Sequence, residues 1–131
     1  TNSGAGRWNA VAVPGTFTAW SSGKPVNVAI TEWSAADTYE AVTSFSCSSG
    51  LYTSNKTTIT WNSPSPGGIG SNTTALRMVA THEFGHAYGL NHMSTTCNGT
   101  KTVMVQGKTK WSCSWGTEPW QDDINGVDAI Y

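Results

Sequence analysis

The chain has 131 residues, a formal net charge of −1 and only 11% charged residues. This length fits one domain with a real hydrophobic core. The weak charge argues against nucleic acid or an anionic membrane as a partner. The sequence contains neither an apolar run of about eighteen residues, which a membrane-spanning helix needs, nor the start of a signal peptide. We therefore expect an already processed chain.

The first sixty or so residues favour a short helix followed by strands. Residues 3–13 can form a helix that ends at the Pro14-Gly15 turn, with Trp8 and Val11 on its buried side. Alternating β-branched residues, interrupted by loops rich in glycine, proline and serine, then predict strands. These strands cover residues 16–20, 26–33, 39–47 and 57–61.

A longer helix is predicted after the proline- and glycine-rich break at residues 64–68. Asn72 or Thr73 can cap it, because either side chain can accept a hydrogen bond from a free backbone N–H of the first turn. Apolar residues recur at helical spacing and predict the face that packs against the sheet. They are Leu76, Val79, Ala80, Phe84 and Ala87.

The same helix leads into an H-E-x-x-H-x-x-G-x-x-H motif at residues 82–92, which contains all three histidines of the chain. His82 and His86 lie four residues apart, so they face the same side of a helix and can reach one metal ion. Gly89 can adopt the left-handed conformation that ends a helix, which would return His92 toward that ion. Three imidazoles leave the fourth position of a tetrahedral zinc open for water, as in catalytic sites.

Glu83 is the candidate general base of this predicted zinc site. It follows His82 by one residue, which rotates its side chain by about 100° around the helix, beside the expected water. Zinc lowers the pKa of bound water from about 15.7 to about 7 and polarises a carbonyl. A carboxylate that takes the water proton and returns it to a leaving amine completes the groups needed for peptide hydrolysis. The alternative is that these side chains serve packing or solvation.

Beyond His92 the sequence lacks a regular period until its end. We expect loops packed beneath and beside the metal, followed by a final helix that starts at Pro119. Asp122 and Asp123 place negative charge near the positive end of that helix. Its buried stripe would consist of Ile124, Val127 and Ile130.

The three cysteines predict one disulfide and one thiol. Cys97 and Cys113 bracket Met104 and would close a polar segment that has little else to hold it. A disulfide there would contribute about 3 kcal/mol by restricting the unfolded chain. Cys47 is left over, and we favour a buried thiol, while its pairing with one of the other two cysteines stays open.

With its surroundings, the motif resembles the metzincin signature in the form found in matrixins. Met104, twelve residues after His92, is the candidate for the methionine turn, which would place an apolar base beneath the ligands. Residues 121–131 are similar to the last helix of matrixin catalytic domains, and residues 7–11 to the end of their first helix. Length and cysteine placement are also similar to small secreted snapalysin-type bacterial proteases. Those proteases use aspartate where this chain has His92.

The resemblance implies an α+β, zincin-like fold. A twisted mixed sheet would pack on the active-site helix, followed by a small loop-rich C-terminal subdomain that ends in a helix. Residues 1–131 would form a single metalloprotease catalytic domain, with an upper subdomain over about residues 1–89 and a lower one over about 90–131. The family also offers a second role for Asp122 and Asp123, as a tie from the last helix to the methionine turn or to the chain start.

In the resembling family the strand before the last is a free edge that borders the cleft. Here it would be residues 39–47, and an extended protein or peptide substrate would bind along it. The neighbouring pocket would lie in the region of Trp111, Trp115 and Trp120, which could equally be core residues. The resemblance implies one catalytic zinc. Since no histidine remains for a structural zinc we expect none, and we leave calcium open and unassigned.

The sequence therefore predicts a secreted, extracellular and monomeric zinc endopeptidase. Secretion rests on a composition rich in Ser, Thr, Asn, Gly and Trp. A catalytically silent metzincin-like protein is one alternative. A cell-wall or glycan-binding module is another, suggested by the seven tryptophans and the low charge, but it leaves the histidine motif unexplained.

Overall fold

The computed structural model describes residues 2–19, 21–22, 28–33, 40–48, 51–52, 57–62, 72–107 and 109–131. Within these ranges the helices are α1 (Asn2–Trp8), α2 (Thr73–Ala87), α3 (Thr109–Ser112) and α4 (Gln121–Asp128). The strands are β1 (Val28–Trp33), β2 (Ala41–Ser44), β3 (Cys47–Ser48), β4 (Leu51–Tyr52) and β5 (Thr57–Asn62). None of the helices in these ranges is long and apolar enough to cross a membrane. The fold is α+β, as predicted.

The central sheet is mixed, as the resemblance implied. Its strand order is β1–β5–β2, with β1 parallel and β2 antiparallel to β5. Thr57 and Ile59 on β5 are buried and the intervening Thr58 is half-buried, because successive side chains of a strand point to opposite faces. Across the described ranges β2 pairs with β5 and with no other strand, so it is an edge strand.

The predicted strands at residues 26–33, 39–47 and 57–61 contain β1, β2 and β5. Residues 26, 27 and 39 lie outside the described residues. β2 is shorter than predicted, because residues 45 and 46 leave the ladder before the short pair of β3 and β4 begins.

The strand predicted at residues 16–20 is wrong for residues 16–19, and Trp20 lies outside the described residues. The side chain of Asn9 takes the place of a neighbouring strand. Its Nδ2 donates to the carbonyl oxygen of Phe17 at 2.7 Å, and the Phe17 N–H donates to its Oδ1 at 2.8 Å. The Phe17 ring then packs edge-on against Phe84 and Tyr88, with each pair of ring centroids 4.8 Å apart. Alternating residues here reflect this local anchoring and not a sheet.

The first helix is shorter than the predicted span of residues 3–13 and ends at Trp8. Trp8 is fully buried, and its indole N–H donates to the carbonyl oxygen of Thr81 in α2 at 2.8 Å. Gly4 allows this close packing, since a Cβ there would stand 2.6 Å from the backbone of Ala80. Val11, predicted to be buried with Trp8, lies past the helix end and is half-buried.

Helix α2 begins and ends as its sequence predicted. The side-chain oxygen of Asn72 accepts hydrogen bonds from the backbone N–H groups of Thr74 and Ala75, both at 3.1 Å. Gly89 has a φ of +99°, the left-handed conformation that turns the chain away from the helix axis. On the predicted apolar face Val79, Ala80, Phe84 and Ala87 are buried and Leu76 is half-buried.

The main core joins residues from both sides of Gly89. It contains residues of α1, β5 and α2 together with residues near the C-terminus. Its buried members are Trp8, Ile59, Phe84, Tyr88, Leu90, Val103, Met104 and Val127. The segment that follows the histidine motif is therefore anchored to the same core as the helix that carries it.

Helix α4 begins at Gln121, two residues after the predicted start at Pro119. Val127 is fully buried and Ile124 half-buried, as predicted, but Ile130 is 43% exposed. The prediction for Ile130 is wrong because α4 ends at Asp128 and the chain leaves the helical period before residue 130.

Candidate metal centre

Three histidine side chains meet at one point. The Nε2 atom of His82 lies 3.1 Å from that of His86 and 3.2 Å from that of His92, and the last two are 3.1 Å apart. His82 and His86 are one turn apart on α2, while the turn at Gly89 returns His92 to them. Helical period and a glycine turn thus bring together all three residues that the sequence predicted as ligands.

Main-chain carbonyls set the tautomer of two of these rings. The Nδ1 of His82 lies 2.7 Å from the carbonyl oxygen of Val103, and that of His86 lies 2.6 Å from that of Leu90. A carbonyl only accepts, so in each ring Nδ1 carries the hydrogen and the neutral ring keeps a lone pair on Nε2. Two lone pairs 3.1 Å apart repel each other unless a cation lies between them.

The nitrogen triangle fits a tetrahedral zinc ion. Zinc–imidazole bonds of about 2.0–2.1 Å separate two ligand nitrogens by roughly 3.3 Å, close to the spacing of the three Nε2 atoms. Burial lowers the pKa of His82 well below its ordinary value, and it also lowers those of His86 and His92. The nearby charge of Lys110 acts in the same direction. Neutral imidazoles with lone pairs directed at one point are the form that binds a metal.

Glu83 projects from α2 toward the edge strand β2. Its side chain is buried, and its Oε2 accepts a hydrogen bond of 2.6 Å from the hydroxyl of Thr43. Burial raises the pKa of Glu83, while the Thr43 hydrogen bond and the Lys110 charge lower it. The carboxylate thus lies between the helix that carries the histidines and the edge of the sheet.

Met104 lies against the backbone of α2 between the two helical histidines. A Cβ added to Gly85 would collide with the sulfur of Met104, so only glycine admits this approach. Met104 is 3% exposed, and its carbonyl oxygen accepts a 3.0 Å hydrogen bond from the N–H of Met93, just after His92. An apolar thioether therefore packs on the turn of helix that joins His82 to His86.

Asp123 connects α4 to this methionine segment. Its Oδ1 accepts a hydrogen bond from the hydroxyl of Thr102, which itself accepts from the N–H of Met104 at 2.9 Å. Its Oδ2 accepts from the N–H of Val103 at 3.0 Å and from that of Trp120, at the start of α4, at 2.8 Å. Asp123 thus performs both of the roles left open for the aspartate pair.

Lys110 is a charged residue near the site that sequence reasoning did not single out. It is 4% exposed, and its ammonium group donates to the carbonyl oxygens of Val105 at 2.8 Å and Gly107 at 3.2 Å. Burial lowers its pKa to about 8, and Glu83 opposes that shift. A lysine in a polar segment reads as a solvated side chain, so no sequence signal marked it. The same holds for Thr43, one threonine among many.

The predicted disulfide between Cys97 and Cys113 is present, with Cα atoms 5.1 Å apart. It ties the segment after His92 to the end of α3. Cys47 therefore pairs with neither of them, and its side chain lies outside those that the structure describes.

The tryptophans predicted near the pocket pack against protein. Trp115 is 6% exposed, and the ring of Trp120 lies half-buried under the ammonium group of Lys101, 4.8 Å from its centroid. These two residues follow the core interpretation. The side chain of Trp111 is outside the described part.

The family model described as matrixin matches residues 28–131, most of the chain. The chain therefore belongs to the matrixin family and is a zinc metallopeptidase in the general sense of that family. Searches of curated proteins and of solved structures find no match. Within the described residues, the histidine triad is the one group of three or more His, Cys, Asp or Glu side chains close enough to hold a metal. Zinc thus has support here and calcium does not.

The paired aspartates allow a matched test of the strap beneath the site. Asp123→Ala should lower the free energy of unfolding by roughly 3 kcal/mol or more, because it leaves several buried donors unsatisfied. It should also weaken zinc binding roughly 10- to 100-fold, since Val103 orients His82. Urea unfolding and zinc titration measure the two effects. Asp122→Ala, at an exposed neighbour, is the control, and equal losses in the two variants would contradict the assignment.

Proposed function

We propose that this chain is an endopeptidase in which His82, His86 and His92 hold one zinc ion and Glu83 is the general base. The observation that carries the proposal is the triangle of Nε2 atoms 3.1–3.2 Å apart. In two of the rings a main-chain carbonyl directs the lone pair inward. No arrangement of three neutral imidazoles by themselves stabilises such a triangle.

The proposed chemistry divides the work between the ion and the protein. When bound, zinc would supply a Lewis acid that lowers the pKa of water and polarises the scissile carbonyl. Glu83 takes one proton from the attacking water as its oxygen bonds to the carbonyl carbon. The same carboxyl then gives that proton to the amine nitrogen as the C–N bond breaks. Met104 and Gly85 keep the helical turn that bears the ligands dry and rigid.

We propose that the substrate is a protein or peptide bound as an extended strand along β2. Two observations support this. β2 lies at the edge of the sheet in the described ranges, and Thr43 on β2 contacts the Glu83 carboxylate. Main-chain hydrogen bonds to an edge accept nearly any sequence, so side-chain selectivity would come from the pocket beside the metal.

A glycan-binding module is a weaker candidate. Such modules present aromatic rings at their surface, and none of the tryptophans whose side chains are described is exposed. Their burial supports the role of core residues. A catalytically silent member of the family stays an alternative, and turnover distinguishes it from an active enzyme.

Exchange of single residues should separate metal binding from proton transfer. Glu83→Gln should keep one zinc per chain and lose kcat by a factor of roughly 10²–10⁴, because the base is gone and the ligands remain. His92→Ala should lose zinc affinity instead. Metal analysis and hydrolysis of casein measure these effects.

Hydrolysis by the unaltered protein should stop with 1,10-phenanthroline and return with added zinc. Turnover by Glu83→Gln equal to that of the parent would rule out Glu83 as the base. A zinc-loaded parent without turnover would favour the silent alternative.

Backbone methylation of the substrate tests the edge-strand mode. A peptide N-methylated at alternate residues near the scissile bond should lose roughly tenfold or more in kcat/KM, because it cannot donate to β2. The same peptide methylated in the other alternation is the matched control, since its methyl groups would face away from the strand. Equal cleavage of both peptides would exclude strand addition.

We propose further that the protein works outside the cell, on the basis of its composition and of the Cys97–Cys113 disulfide. Its thiols report the compartment. Protein taken from its native host and alkylated at once with iodoacetamide should carry one label per chain, at Cys47, and should be found in the culture medium. Three labels per chain in a cell extract would contradict export.

A further inference from the structure

Thr43 is the one described residue of the edge strand whose side chain contacts Glu83. Its hydroxyl lies 2.6 Å from the Oε2 atom of Glu83 and 3.1 Å from the main-chain oxygen of the same residue. A threonine hydroxyl has a single proton, and the shorter contact to the carboxylate receives it when Glu83 is ionised. With Oε2 held in this way, Oε1 is the oxygen left to take a proton from water.

The hydrogen-bond alternation of β2 and β5 determines which backbone groups face the open edge. The N–H of Asn62 donates to the carbonyl oxygen of Glu40 at 2.9 Å, and the register places these two residues opposite each other. Hydrogen-bonded and non-hydrogen-bonded pairs alternate along an antiparallel ladder. Val42 and Ser44 therefore bond to β5. Thr43 belongs to a non-hydrogen-bonded pair, so its N–H and C=O point away from β5.

Thr43 therefore faces two partners at once. Its main chain presents one donor and one acceptor to a strand added at the edge, and its hydroxyl holds the Glu83 carboxylate. Threonine is stiff about χ1, because two heavy atoms are attached to Cβ. The direction of the hydroxyl is thus tied to the direction of the backbone that an added strand would fix.

We propose that Thr43 is a positioning residue that couples the docking of an extended substrate on β2 to the placement of the general base. This inference rests on the proposed function. Binding of substrate to the backbone of Thr43 orders the strand, and the hydroxyl transmits that order to Glu83. The base is then placed relative to the scissile carbonyl by the same residue that aligns the substrate. A structural role alone, pinning β2 to α2, is the alternative.

The first test needs neither zinc nor turnover. In the free protein, hydrogen exchange resolved by NMR should be at least roughly tenfold faster at the amides of Ala41 and Thr43 than at those of Val42 and Ser44, because only the latter bond to β5. Adding an uncleaved peptide to Glu83→Gln should then slow the exchange of Thr43. Equal exchange along β2, or a Thr43 amide that the peptide leaves unchanged, would overturn the docking half of the proposal.

The second test separates positioning from structure. Thr43→Val keeps the shape and the branching but removes the hydroxyl, and it should lower kcat roughly 10- to 100-fold with KM within about twofold. Zinc content and the free energy of unfolding should stay close to those of the parent. Thr43→Ser should restore kcat. Thr60→Val is the matched control on β5, because its hydroxyl pairs with Thr31 at 2.9 Å, away from Glu83, and it should not change kcat.

Coupling has its own signature. In the parent, N-methylation of the substrate amides that face β2 should lower kcat as well as raise KM. In Thr43→Val the same methylation should raise KM alone, because the link to Glu83 is already lost. An unchanged kcat in Thr43→Val, or a loss that Thr43→Ser does not restore, would overturn the positioning role. A Glu83→Gln variant as active as the parent would instead refute the proposed function itself.

Discussion

The structure depends on the mutual approach of three imidazole nitrogens, each 3.1–3.2 Å from the other two. Such an arrangement is unfavourable for neutral rings and would be worse if they were protonated. Two carbonyl oxygens, those of Val103 and Leu90, nevertheless direct the lone pairs of His82 and His86 inward. The surrounding fold therefore maintains a geometry that only a cation relieves, and a stabilising ion would contribute to folding as well as to chemistry.

The C-terminal segment provides the supports of this arrangement. Asp123 binds Thr102 and the backbone of Val103, and Val103 in turn binds His82. Met104 fills the space that Gly85 leaves open beneath the helix. One continuous set of contacts thus runs from the last helix to the first ligand. The site is accordingly as rigid as the core to which these residues belong.

The charges around the site are set by burial before they are set by neighbours. Burial is the largest influence on the pKa of each histidine and of Glu83, and it favours the neutral form in all of them. Thr43 and Lys110 oppose it at Glu83, since both favour the carboxylate. A buried acid kept ionised beside neutral imidazoles is the combination that a zinc hydrolase requires.

The sequence by itself determined the features that depend on local geometry. The spacing of His82 and His86, the cap at Asn72 and the left-handed turn at Gly89 follow from the helical period and from the conformations open to each residue type. The family signature therefore appeared in a single segment. The mixed sheet was within reach through the same resemblance, whereas alternating residues at 16–19 misled because short patterns do not reveal their partners.

Only the tertiary structure decided which distant residues serve the site. Two adjacent aspartates look alike in sequence, yet Asp123 is buried under the methionine segment and Asp122 is exposed. Thr43 contacts a glutamate forty positions away in the chain, and Lys110 turns inward from a polar segment. Contacts of this kind depend on how the sheet and the helices pack, which no local pattern encodes.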